Sequence, residues 1–261
     1  MAVAARVVEH RALQYARTFR ASLFSSFLNP VLFLLAMGLG LGTYVDRSGS
    51  ATQALGGLSY LQFLAPGLLA ATTMQAAAFE ATFPIMGGLT WTKTFHAMYA
   101  TPITPAAIVL GNLAWITFRL AMIAVVFTIV MTLFGAAASP LIILAIPAAV
   151  LTGLAFASPI AAFSATQRTP EKFNAVFRFG ITPLFLFSGT FFPISNLPAA
   201  IQPIAWLSPL WHGVELSRRL ALGTIGEAPL LALAHVAVLV AIFVAGYAWA
   251  SRTVERRLVR G

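Results

Sequence analysis

Long apolar stretches separated by short polar segments dominate this chain after residue 20. A membrane-spanning helix needs about 20 mostly apolar residues. Stretches of that kind recur along the chain, so we expect an all-α membrane protein in which residues 1–261 form one transmembrane domain. The pattern predicts six spans, at Ala21–Val45, Tyr60–Thr82, Ala106–Phe134, Leu141–Ala165, Val176–Thr190 and Pro229–Ala250.

Breaker residues divide the longest uncharged interval, Leu120–Gln167, into parts of two spans. A single helix of that length would far exceed the roughly 30 Å hydrocarbon core, since each residue adds about 1.5 Å. The segment Gly135–Pro140 (GAAASP) carries the residues that end helices.

Residues 191–226 are interrupted by four prolines, so we expect two short helices that re-enter the outer leaflet there. Such irregular backbone is tolerated at depth where protein covers it.

The basic residues predict the orientation of the spans, because cytoplasmic loops of membrane proteins are enriched in Lys and Arg. With both termini in the cytoplasm, most of the 16 Lys and Arg residues fall on the cytoplasmic side. The exceptions are Arg47, Arg218 and Arg219 outside and Arg119 within the third span. The strong preference for Arg over Lys favours a bacterial source, so we expect a multi-pass protein of the bacterial inner membrane.

Composition agrees with a lipid environment. The chain has 59% hydrophobic and 9% charged residues and a mean hydropathy of +0.88, whereas soluble domains carry about 25% charged residues. The net charge of +9 is explained by basic residues at the ends of apolar runs rather than by a nucleic-acid-binding face. Cysteine is absent, which excludes disulfides and thiolate metal sites.

Two polar segments carry helical patterns outside the spans. In residues 1–20, Val8, Ala12, Tyr15 and Phe19 recur at helical spacing, which predicts an amphipathic helix in the cytoplasmic interface; the alternative is a basic flank that only sets topology. In residues 86–105, the aromatic and Met residues predict a short amphipathic helix with an apolar edge for a partner. The alternative there is a simple connection on the headgroups.

Ionisable residues within spans are expensive and need partners. We expect Glu80 and Arg119 to pair within the bundle, or Arg119 to face a hydrated cavity. His212 and Glu215 lie one turn apart but lack the further ligands of a metal site. His235 is expected to be a hydrogen-bonded packing residue. No metal, cofactor or catalytic residue is predicted on this chain, and neither Lys93 nor Lys172 completes a phosphate-binding loop.

Three stretches resemble the ABC-2 type exporter permeases, in particular the nodulation protein J-like and daunorubicin-resistance-like subfamily. They are FLNPVLFLLAMGLGLG in the first span, AAAFEATFPIMGGLTWTKTFHAMYATPITPAAIVLGN over Ala76–Asn112, and SGTFFPISNLPAAIQPIAWLSPLWHGVELSRRLALG over Ser188–Gly223. The resemblance covers nearly the whole chain, and the last stretch is its most specific part. Asn112 departs from the family, where glutamate is more frequent after the glycine.

The resemblance implies a homodimer or pseudo-dimer of six-helix subunits and two copies of a separate ATPase chain that binds ATP and Mg. The segment in 86–105 would be the coupling helix, with contact residues Leu89, Trp91, Lys93, Phe95, His96, Met98 and Tyr99. The short helices would form an outer gate that contains Phe191, Phe192, Pro193, Trp206 and Trp211.

The predicted function is therefore ATP-driven export of an amphiphile, such as a lipid-linked glycan, a glycolipid or a hydrophobic drug. Aromatic and Met side chains are candidates for the substrate path, although packing or lipid contact is the favoured explanation for each of them: Phe33, Met37, Phe63, Met74, Phe185 and Phe187. The alternatives are an ion-gradient-driven secondary transporter, which usually needs acidic residues at mid-membrane, and a non-transporting membrane scaffold.

Overall fold

A computed structural model describes residues 2–16, 28, 31–47, 55 and 57–260, and every regular element in this part of the chain is helical. The first half of the described chain begins with helices α1 (Ala2–Ala16) and α2. Helix α2 consists of the π-helical segment Leu34–Leu41 and its continuation Gly42–Arg47. Four further helices follow: α3 (Tyr60–Thr90), α4 (Thr94–Tyr99), α5 (Pro105–Leu133) and α6 (Ile142–Thr166).

The second half begins with α7, a continuous helix whose middle turn is π-helical. Its three parts are Glu171–Ala175, Val176–Ile181 and Thr182–Phe187. A hairpin of short helices comes next, formed by the 3₁₀ turn Ile194–Asn196, α8 (Gln202–Trp206), α9 (Pro209–Leu222) and the 3₁₀ turn Thr224–Glu227. The last helix is α10 (Pro229–Arg260).

Local sequence explains where several of these helices begin and end. Ser59 and Gln62 form a capping box at the start of α3, in which each side chain accepts a hydrogen bond from the other residue's backbone N–H. Thr104 caps α5 ahead of Pro105, whose missing N–H is not needed at that position. Gly223 ends α9 in the left-handed conformation, with φ of 80°.

Helix α6 lies at the centre of the fold and contacts α3, α5, α9 and α10. Small residues allow these close approaches, as is common where helices pack in membranes. Gly213 of α9 packs on Thr152, and Gly246 of α10 packs on Ser158 and Pro159. The Thr73 hydroxyl donates to the Ala149 carbonyl across 2.9 Å and ties α3 to α6.

Three helices among the described residues are long and apolar enough to cross a membrane: α5, α6 and residues Pro229–Val259 of α10. The predicted third and fourth spans differ from α5 and α6 by one residue at each end. The predicted second and fifth spans correspond to α3 and α7, which are not among these three helices. The total of six spans therefore stays a prediction. Residues 28 and 31–45 of the first predicted span are described, and the remainder of that span lies outside the described residues.

Three predicted boundaries were wrong. Helix α3 continues past Thr82 to Thr90, because Glu80 is paired with Arg119 and does not need to reach water. Helix α10 continues ten residues beyond Ala250 to Arg260. Helix α7 begins at Glu171 rather than Val176, because Phe173 is buried against the bundle and continues the helix into the polar segment.

The predicted packing face of the N-terminal helix was also wrong. We expected Val8 and Ala12 on the apolar edge, but Val7 is the buried residue and Ala12 is exposed. The side chains of Val7, Arg11 and Tyr15 face the bundle, because Arg11 finds hydrogen-bond acceptors there. Phe19, the last member of the predicted edge, lies outside the described residues.

Candidate functional site

Helix α4 forms a rigid projection between α3 and α5. The chain reverses after α3 through two hydrogen bonds, in which the N–H groups of Trp91 and Thr92 both donate to the Gly87 carbonyl at 2.9 and 3.0 Å. Lys93 then adopts a left-handed φ of 52°. Phe95 is buried over Gly88, where an added Cβ atom would lie 2.7 Å from its ring. Because Gly88 has no side chain, the Phe95 ring can pack against it and hold α4 in place.

Of the predicted contact residues in this segment, Trp91, Lys93 and Tyr99 are exposed. The Trp91 side chain is 59% exposed and that of Tyr99 is 40% exposed. His96 and Met98 are half-buried, whereas Leu89 and Phe95 are buried within the chain. Leu89 and Phe95 therefore support the predicted coupling surface from beneath, and they do not themselves present a face to a partner.

Helix α1 flanks α4, and two adjoining hollows of about 330 and 310 Å³ lie between them. The hollows are lined mainly by apolar side chains and share His10, Thr94 and Met98. Helix α4 itself contacts the end of α3, α5 and α10.

A polar network holds α1 lengthwise along the first half of α5. The Arg11 guanidinium donates to Asn112 Oδ1 at 2.7 and 3.0 Å and to the Pro84 carbonyl at 3.4 Å. Burial lowers the pKa of Arg11, and the carboxylate of Glu80 opposes that shift. Asn112 in turn donates to the Ile108 carbonyl. Asn112 thus joins α1 to the bundle.

Glu80 and Arg119 form the ion pair that was one of the two sequence hypotheses. Arg119 Nε lies 3.2 Å from Glu80 Oε1, and both side chains are mostly buried. The guanidinium also lies 4.4 Å from the centre of the Tyr15 ring, which packs edge-on against Trp115. This pair therefore connects α3, α5 and α1 at one point.

We expect the substitutions Glu80→Gln and Arg119→Gln to be strongly non-additive. Each single change leaves the opposite charge buried without its partner, whereas the double change removes both charges. A double-mutant cycle on thermal unfolding in detergent should give a coupling of about 1–3 kcal/mol. Additive effects of the two changes would contradict a direct pairing.

Arg257 is a connecting residue that the sequence pattern did not single out. It lies near the end of α10 and donates to the carbonyls of Ala165 and Gln167 at 2.9 and 2.7 Å and to the Thr90 hydroxyl at 3.1 Å. It thereby satisfies carbonyl groups at the C-terminal end of α6 and ties them to the C-terminal end of α3. Its position three residues before the end of a basic helix gave no signal of this role.

At the opposite end of the bundle, three phenylalanines from the predicted path and gate meet. The Phe185 and Phe191 rings are 5.0 Å apart, and Phe33 lies 6.4 Å and 6.3 Å from them, measured between ring centres. Phe33 directly precedes α2, Phe185 lies in α7, and Phe191 lies between α7 and the hairpin, so the three rings bring these elements together. Met37 and Phe187 lie at partly open positions, but Phe63 and Met74 are buried within the chain and do not line an open surface.

Arg218 of α9 fixes this hairpin to the bundle, a role that the sequence reasoning missed. Its guanidinium donates to the carbonyls of Phe63 and Gly189 at 3.2 and 2.8 Å and lies 3.9 Å from the Phe63 ring centre. Burial lowers its pKa to about 10, so the side chain remains charged at neutral pH. Phe63 is therefore a support for Arg218.

A second cluster joins the hairpin to α10. His212 Nδ1 and His235 Nδ1 are 2.7 Å apart, so one ring donates and the other accepts. Trp211 packs against both rings at about 5 Å. Glu215 is engaged by Arg219 at 2.8 Å. Of the other predicted gate residues, Trp206 is 46% exposed, while Phe192 packs with Trp211 on a small separate cluster.

The sequence of the chain matches the family described as ABC-2 type transporter over residues 6–222. That interval includes α4, the Glu80–Arg119 pair and helices α8 and α9 of the hairpin. The chain belongs to the ABC-2 type transporter family. It is also similar over nearly its full length to proteins named Nodulation protein J. That from Rhizobium leguminosarum bv. viciae is 32% identical over 95% of this chain and 92% of the relative.

Two further relatives extend this similarity. Nodulation protein J of Rhizobium meliloti (strain 1021) is 29% identical over 95% of this chain and 90% of the relative. Nodulation protein J of Azorhizobium caulinodans is 26% identical over 91% of this chain and 92% of the relative. Membership in the family makes the chain the membrane subunit of an ABC transporter and implies an ABC ATPase as partner. In this ABC-2 permease, the exposed residues of α4 are accordingly the surface of most interest.

Proposed function

We propose that this permease is the membrane half of an ATP-driven exporter, energised by two copies of a separate ATPase chain that binds ATP and Mg. The observation that carries the proposal is the geometry of α4. It is a short helix anchored through the buried Phe95 and placed directly after α3, with the exposed aromatic residues Trp91 before it and Tyr99 at its end. A membrane subunit that receives force from another protein needs such a stiff, exposed contact.

The proposed path of the movement follows the contacts of α4. Closure of the ATPase dimer would displace α4, and its anchor on Gly88 passes the displacement to α3. Arg257 joins the end of α3 to α6 and α10, while Arg11 and the Glu80–Arg119 pair join α3 and α5 to α1. The helices would therefore move as connected bodies rather than singly.

We place six spans in the bacterial inner membrane with both termini in the cytoplasm, and a second permease subunit, most simply an identical copy, beside the first. An amphiphilic substrate would leave the inner leaflet at the subunit interface and pass outward. Phe33, Phe185 and Phe191 would separate this path from the outside, together with the hairpin that Arg218 and the His212–His235 contact hold in place.

The decisive experiment is reconstitution with an ABC ATPase encoded beside the permease gene. The two proteins should co-purify, and a fluorescent lipid-linked glycan should move across the vesicle membrane only when ATP and Mg²⁺ are present. Vesicles containing the permease without the ATPase provide the control. Transport by the permease alone would contradict the proposal, and so would an assembled complex that moves its cargo inward.

A further inference from the structure

Helix α7 runs antiparallel beside α3 in a register that two contacts define. The Phe173 and Phe83 rings are 5.2 Å apart near the α4 end of the bundle. Near the other end, a Cβ atom added to Gly67 would lie 3.2 Å from Thr190 Cα, just after α7. The two contacts are separated by nearly the same number of residues along α3, from Phe83 to Gly67, as along the α7 segment, from Phe173 to Thr190. Arg178 lies roughly 7 Å along the helix from Phe173, which places it at the height of Phe79.

Arg178 is an arginine without a polar partner in the predicted fifth span. Its side chain is exposed, and within the described ranges it makes no hydrogen bond or ion pair; the nearest aromatic ring, that of Phe179, is 5.9 Å away. Phe179 is 76% exposed and Phe79 is 57% exposed. The turn that contains both Arg178 and Phe179 is π-helical, an irregularity that is frequently found at functional sites.

The acidic residues of the permease do not satisfy this cation. The carboxylate at the same height, Glu80, is already engaged by Arg119. The chain has only seven Asp and Glu residues, and within the described residues none of them forms an ion pair with Arg178. Arg178 lies two residues after the cytoplasmic start of the predicted fifth span, where an exposed basic side chain can extend to the level of the lipid headgroups. The natural complement of this guanidinium is therefore an anionic group from outside the protein.

We infer that Arg178 binds the phosphate group of an anionic amphiphile at the inner-leaflet side of the transport path, with the apolar chain of the amphiphile against Phe179. The inference rests on the proposed function and narrows its cargo to lipids with a phosphate-type headgroup. Arginine suits this role because its planar guanidinium donates two parallel hydrogen bonds to a phosphate. The exposed Phe179 ring supplies the apolar surface that a free anion would not need.

Binding can be measured on the purified permease without any ATPase. Native mass spectrometry from dodecyl maltoside micelles would follow the binding of dodecyl phosphate, with the uncharged monoglyceride monolaurin as a second probe. We expect Arg178→Gln to weaken dodecyl phosphate binding about tenfold, as loss of a charge-assisted contact implies, and to leave monolaurin binding unchanged. Arg178→Lys should retain part of the affinity, and Phe179→Ala should weaken both probes.

Arg252→Gln is the matched control, because Arg252 is an equally exposed arginine of α10. Unchanged dodecyl phosphate binding in Arg178→Gln would overturn the inference, and an equal loss in Arg252→Gln would reduce it to general charge attraction. Displacement of the probe by millimolar inorganic phosphate would identify a free-anion site and also overturn it. These results are separate from the proposed function, which fails only if the assembled complex does not transport cargo.

Discussion

Replacing Gly246 with leucine is expected to unfold the permease or to lower its thermal unfolding temperature by more than 10 °C, the largest stability effect that we predict. A Cβ atom at this position of α10 would lie 2.7 Å from both Cδ and the backbone N of Pro159 in α6. Because the obstacle includes backbone, no rotamer change relieves it. Overpacking of this kind typically costs about 1–3 kcal/mol, and more where main chain must move.

The measurement is fluorescence-detected size-exclusion chromatography after heating the detergent-solubilised protein. Gly226→Leu is the matched control, since an added Cβ at Gly226 has no heavy atom within 4 Å and the residue does not require a positive φ. A Gly246→Leu protein as stable as Gly226→Leu would show that α10 does not pack on α6 as described.

Replacing Trp91 with glutamate is expected to abolish association with the ATPase, the largest functional effect. The Trp91 ring is 59% exposed and rests on Gly87 at the start of the α4 turn. Large exposed aromatic residues often supply a dominant share of the binding energy of an interface, so loss of one commonly weakens binding by 2 kcal/mol or more, roughly 30-fold. The permease itself should remain folded, because the ring contributes little to its core.

Co-purification of the tagged permease with the ATPase checks this prediction, together with thermal stability of the permease alone. Trp206→Glu provides the control, because Trp206 is a similarly exposed tryptophan in the hairpin at the other end of the bundle. Normal ATPase recovery with Trp91→Glu would contradict the assignment of α4. Phe95→Glu is unsuitable for the same test, because Phe95 is buried and its loss would unseat α4.

Local apolar length was sufficient to predict much of the helical architecture. The breaker segment Gly135–Pro140 correctly separated two helices, and α5 and α6 agree with their predicted bounds within one residue. The glycines and prolines around residues 86–105 likewise indicated where α4 would be. These features depend on neighbours in sequence, because helix length and helix ends are set by nearby residues and by the thickness of the membrane.

The site depended on contacts between distant parts of the chain. The sequence pattern placed Phe95 and Trp91 in the same role, but the space above Gly88 buries one ring and leaves the other exposed. Arg257 and Arg218 looked like topology-setting charges until their carbonyl partners were known. Hydrophobic periodicity contains no information on such long-range hydrogen bonds.

The sequence by itself determined that the chain is an all-helical membrane protein, where most helices lie and which family it resembles. Only the tertiary structure decided that Glu80 pairs with Arg119, that Arg11 turns α1 onto α5, and that Arg178 has no polar partner among the described residues. The reason is physical. An apolar stretch is stable in lipid whatever surrounds it, whereas a buried polar group is stable only beside a particular partner, and the fold alone brings partners together.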